Sequence, residues 1–142
     1  MKQFSLSSGL FIFAGEENQL EALRKVKQAG FDETELMAEG SSWANSQVPD
    51  IELFKQTLKE IDLSPRSIHA PYKTVNLESP DHNLREISIA KVRSAMRFIA
   101  ELGGKVIVVH PTGSVDEDSK PYSHMTSLLY MELLTIRTLP DA

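Results

Sequence analysis

Val106-Ile107-Val108-Val109 is an unbroken run of β-branched residues, followed at once by His110 and Pro111. A strand with one wet face keeps a polar residue at every second position. A run without any is typical of a parallel strand covered on both faces. Parallel neighbours cannot be joined by a tight turn and need a crossover of a dozen or more residues, usually a helix. The chain before this run supplies three such crossovers.

Phe4-Ser5-Leu6-Ser7 alternates as a short strand, which Ser8-Gly9 turns into a loop. Asn18 and Glu21 have capping-box spacing, and Leu20, Leu23 and Val26 then recur at helical period until Gly30. Thr34 to Ala38 reads as the second strand. Pro49-Asp50 opens a helix with Ile51, Phe54, Leu58 and Ile61 on one face, and Ser64-Pro65 ends it. Arg66 to Ala70 is the third strand, closed by Pro71. After Ser79-Pro80-Asp81 a longer helix carries the stripe Ile89, Val92, Met96, Ile99 and Leu102, and Gly103-Gly104 stops it. A fourth helix is expected from Met125 to Leu139.

The order βαβαβαβα predicts an α/β fold, a parallel sheet with right-handed crossovers, in a single domain over residues 1–142. Such a sheet can be a doubly wound layer or an arc of a barrel. Ser7-Ser8-Gly9-Leu10 follows the first strand where a dinucleotide fold would carry its glycine-rich fingerprint, and this favours the barrel. The expectation is a parallel (β/α)4 half of a TIM barrel, strands in the order 1-2-3-4 and helices on the outer face. Its inner face is expected to carry residues such as Ile68, Ile107 or Val109.

Composition narrows the chemistry. With no cysteine, metal can be held only by His, Asp, Glu or water, and a reducing cytoplasmic location fits. Twenty acidic residues against fifteen basic ones give a formal charge of −5, which argues against a broad nucleic-acid surface. No apolar run approaches the roughly 20 residues of a membrane span. The apolar start, broken by Ser7-Ser8-Gly9 and followed by Glu16-Glu17, is read as a first strand and not as a signal peptide.

In parallel α/β folds functional groups gather at the C-terminal ends of the strands. His69 and His110 lie there, each closed by a proline within two residues. A lone strand-end histidine is ordinarily a hydrogen-bonded structural residue. Two at matching ends of consecutive strands are candidates to share one metal or ligand, since paired strands run about 4.8 Å apart. His82 and His124 fall in polar loops and are read as solvated. Glu33, Glu35 and Glu39 share one side of the second strand by period, and Glu35 is taken as a candidate catalytic carboxylate. Tyr72, beside His69, is the second catalytic candidate, with Asn76 a neighbour able to bond substrate or its own loop. Trp43 is placed either to face substrate as a lid or to pack.

His69-Ala70-Pro71-Tyr72, then Asn76-Leu77-Glu78-Ser79-Pro80-Asp81, Arg85 and Ser88-Ile89, with Glu101-Leu102-Gly103-Gly104 running to Val108-Val109-His110-Pro111, resembles the xylose-isomerase-like barrels. That superfamily includes sugar-phosphate isomerases and epimerases and the endonuclease IV type of DNA-repair enzyme. The similarity is densest from His69 to Gly113. It implies a divalent metal (zinc, manganese or magnesium) at the barrel mouth. In the endonuclease branch, histidines matching His69 and His110 ligate zinc. In the sugar branch the metal sits mainly on later strands, and the third-strand histidine tends to face substrate. A whole barrel takes roughly 250 residues, so this chain is expected to be an N-terminal half, truncated before the fifth strand. The metal site is then incomplete and metal binding by the isolated chain weak or absent. The implied reaction is an isomerisation or epimerisation of a sugar or sugar phosphate. The alternatives are an endonuclease IV-like phosphodiesterase on abasic DNA and a non-catalytic barrel fragment. Self-association or a complementary half-barrel is expected to cover the open sheet.

Overall fold

The computed structural model describes residues 4–39, 43 and 48–111. The expected helix from Met125 to Leu139, and His124, lie outside them. Four strands, β1 (Ser5–Ser7), β2 (Glu33–Met37), β3 (Ser64–His69) and β4 (Val106–Val108), form one sheet in the order β1-β2-β3-β4. Every pairing is parallel. The helices are α1 (Gly9–Phe13), α2 (Gln19–Gln28), α3 (Ile51–Glu60) and α4 (His82–Glu101).

Each of the three longer helices starts at a side chain that fills its open N-terminus. Asn18, Asp50 and Asp81 each accept hydrogen bonds from the second and third helical N–H groups. The reciprocal half of the box expected at Asn18 is not formed by Glu21: the Asn18 N–H donates backwards to Glu16 Oε1 at 3.0 Å. Gly103, at φ 85°, turns the chain out of α4. At Gly104 a Cβ would meet Ile99 Cδ1 at 2.5 Å, so the chain needs glycine to pass this close to α4. The short α1 replaces the loop expected after β1. Ser64 and Pro65, expected to end α3, begin β3.

One continuous core joins Leu23 and Val26 of α2, Phe54 and Leu58 of α3, and Ile89, Val92, Phe98 and Ile99 of α4 to Leu36 and Ile68 of the sheet. Leu36, Ile68 and Ile107 lie in one row across β2, β3 and β4, facing these helices. The next rows point the other way: Ser7, Glu35, Ser67 and Val106, then Met37, His69 and Val108. Ile68, Ile107 and Val109 therefore belong to the helix-covered face, and the expectation that they line the inner face is wrong. A run of like residues has no alternation from which to read which parity faces inward. The inner face is mostly polar, with Val106 51% and Val108 37% exposed. A register shift between Thr34 and Glu35 leaves Arg66 as an extra residue in β3, and its guanidinium reaches both oxygens of Glu33 at 2.9 and 3.0 Å. Among the described residues no helix is long and apolar enough to cross a membrane.

Candidate functional site

The inner rows end, at the C-terminal edge of the sheet, in three rings. His69 is the last residue of β3, and His110 lies two residues beyond β4. Their Nε2 atoms are 2.9 Å apart and their ring centroids 4.8 Å apart. Tyr72 stands 5.5 Å from each imidazole. The strand ends are locked to one another by the backbone: Ala70 N donates to Val108 O, and Leu77 N donates to Pro111 O, both at 2.9 Å.

His69 Nδ1 lies 3.1 Å from the Ala70 carbonyl. A carbonyl only accepts, so Nδ1 carries a proton there and the neutral ring presents its lone pair at Nε2. When both rings are neutral, His110 Nε2 is the donor of the bond between them. A ring whose far nitrogen donates to a backbone carbonyl is also oriented as metal-ligating histidines are. Two nitrogens on a tetrahedral ion at about 2.0–2.1 Å would be about 3.3 Å apart, a few tenths of an ångström wider than this pair. The pair fits two positions of a divalent cation, but among the described residues no group of three His, Cys, Asp or Glu side chains forms a cation site.

The acidic residues of β2 divide into different roles. Glu33 is engaged by Arg66. Glu35 lies on the inner face one row below His69, where Ser67 Oγ donates to its Oε2 at 3.3 Å. Glu39 lies two residues past the end of β2 and is 8% exposed. Its Oε1 accepts from the N–H groups of Tyr72 and Lys73 at 2.6 and 2.9 Å. Trp43 packs edge-on against Phe98, centroids 5.3 Å apart, and donates from Nε1 to Gln19 Oε1, so packing holds it. Asn76 serves its own loop: its Oδ1 accepts from Glu78 N and its N–H donates to Ser88 Oγ. His82 is exposed at the start of α4. Gln19 was not singled out in the sequence, yet it is buried and donates to the carbonyls of Met37 and Glu39 at 2.8 Å each. The only trace of this in the sequence is a long amide in the first turn of α2.

A parallel four-stranded arc, helices on its convex face and imidazoles at its C-terminal edge, is a partial TIM barrel. The chain belongs to the xylose isomerase-like TIM barrel family, the AP endonuclease 2 group, which it matches over residues 23–129. An uncharacterised protein of Methanocaldococcus jannaschii is 25% identical over 109 residues, covering 77% of this chain and 35% of that protein. Among solved structures, a D-tagatose 3-epimerase-like protein superposes with a TM-score of 0.70 at 22% identity, covering 95% of this chain and 47% of that one. The 3-keto-D-glucoside 4-epimerase of E. coli gives a TM-score of 0.58 at 26% identity, covering 84% and 47%. The chain thus spans about half the length of these structures and about a third of the archaeal relative.

Proposed function

We propose that this chain provides the first four βα units of a sugar or sugar-phosphate isomerase or epimerase, and that His69 and His110 hold one divalent cation at its mouth. The observation that carries the reading is the pair of Nε2 atoms converging to 2.9 Å at adjacent strand ends. The 3-keto-D-glucoside 4-epimerase named above, at 26% identity, supports the substrate class. A cation bound there supplies Lewis-acid polarisation of a substrate oxygen. With both Nε2 atoms turned to a cation, His110 would carry its ring proton on Nδ1, as His69 does. Glu35, whose Oε2 accepts from the Ser67 hydroxyl on the inner face, is the carboxylate we assign to proton transfer. Tyr72 offers a phenol able to hydrogen-bond a substrate hydroxyl beside the imidazoles. Zinc, manganese and magnesium are all compatible with the reading, and two nitrogen donors alone give weak binding.

The formal charge of −5 weighs against the phosphodiesterase reading, because DNA affinity rests on phosphate contacts. The test is solvent-deuterium incorporation into a panel of ketoses and ketose phosphates, with manganese present. Exchange at the carbon next to the carbonyl, reduced at least tenfold in Glu35→Gln, is the expected result. Exchange equal in wild type and Glu35→Gln would remove Glu35 from the role, and no exchange with any sugar would overturn the substrate class.

A further inference from the structure

We propose that Glu39 is a positioning residue: its buried carboxylate clamps the Tyr72–Lys73 turn and so sets the Tyr72 ring against His69 and His110. The functional consequence rests on the reading of the histidine pair given above, whereas the clamp itself stands on geometry. Pro71 has no N–H, and the Ala70 N–H is spent on Val108 O. The first free donors after β3 are therefore those of Tyr72 and Lys73, and both converge on Glu39 Oε1 at 2.6 and 2.9 Å. Two successive backbone N–H groups on one anionic oxygen make a small nest, in which backbone dipoles meet the charge of a carboxylate only 8% exposed.

The backbone that carries this carboxylate is itself held. Gln19 Nε2 donates to the Glu39 and Met37 carbonyls at 2.8 Å, and Trp43 Nε1 donates to Gln19 Oε1 at 3.2 Å. A continuous set of bonds thus runs from the Phe98–Trp43 packing, through the first turn of α2 and the end of β2, to the turn bearing Tyr72. The same turn sends Lys73 the other way, with Nζ 5.4 Å from the Phe13 ring centroid. The clamped turn keeps the Tyr72 ring 5.5 Å from both imidazoles.

The test is NMR of the full 142-residue chain without added metal, comparing Tyr72→Ala, Glu39→Ala and Glu39→Gln. Removing the Tyr72 ring moves the ring-proton signals of His69 and His110. Glu39→Ala is expected to move the same signals in the same direction, by at least half as much. Glu39→Gln keeps an acceptor without the charge, so it leaves those signals near their wild-type positions. The Tyr72 and Lys73 amides should then exchange roughly tenfold faster, the difference between a charge-assisted and a neutral hydrogen bond. A folded Glu39→Ala protein with wild-type histidine signals would overturn the proposal. If Glu39→Ala does not fold, unchanged exchange of both amides in Glu39→Gln overturns it instead. Moved signals in a chain that takes up no zinc uphold the clamp and overturn the metal reading alone.

Discussion

Proline makes the histidines of this site legible. Pro111 restricts His110 to extended backbone, and Pro71 follows two residues after His69, the last residue of β3, so both imidazoles stop at the same edge. Tyr72 follows from its neighbourhood to His69. The Glu39 clamp had no comparable signal, since its partners are backbone N–H groups that every residue but proline possesses. The sequence also offered no way to divide Glu33, Glu35 and Glu39, because the division depends on Arg66 standing in a bulge and on where β2 ends. Another residue-scale pairing gives a pH test away from the site. Lys25 Nζ bonds Glu16 Oε2 at 2.7 Å, and this bond, helped by the Asn18 N–H, holds the Glu16 carboxyl below its ordinary value of 4.5. The folded state then binds that proton less readily than the unfolded chain. The stabilisation is complete above the ordinary value and is lost as pH falls through the lowered one. Thermal unfolding followed from about pH 6 to about pH 3 should show a shallower acid loss in Glu16→Gln than in wild type. Equal slopes would show that the pair contributes nothing.

At the scale of elements, helices were easier to read than strand faces. Asn18, Asp50 and Asp81 mark three helix starts because an N-cap needs a short acceptor side chain at one position. Apolar spacing then gives the buried stripes. The five-residue α1 has too few turns to show a period, and it was missed. The faces of β4 were misassigned for a related reason: a β-branched run is apolar on both sides and carries no parity. Burial by the helices is energetically uneven. Phe98 is 3% exposed and meets Trp43 and Phe54 edge-on at 5.3 and 5.1 Å, which joins α4 to α3 and to the loop after β2. Phe98→Ala is expected to lower unfolding free energy by about 3–5 kcal/mol, read from urea denaturation. Ala95, 0% exposed on the same helix, has no room to grow, and Ala95→Leu should also destabilise, by about 1–3 kcal/mol. A loss below about 1 kcal/mol for Phe98→Ala would mean that the three rings do not form one packing unit.

For the whole molecule, the sheet is an arc with its convex face covered by helices and its concave face lined by Ser7, Glu35, Met37, Ser67, His69, Val106 and Val108. Among the described residues β1 and β4 each pair on one side only. A barrel removes such edges by closure. The proposed partner of this face is a complementary half-barrel or a second copy of the chain. Sedimentation across a dilution series should show mass rising with concentration, and a constant monomer mass at high concentration would contradict it. The polar inner face makes that association weaker than an apolar one would be, a consequence visible only once the strand parity is known. The central claim is that His69 and His110 act together on one ligand, and a zinc titration by calorimetry tests it most directly. The account predicts one weak site per chain, with affinity falling at least tenfold in His69→Ala and in His110→Ala. The double variant should be no worse than either single one, because each change already breaks the shared site. Zinc binding that survives either substitution unchanged would contradict the account.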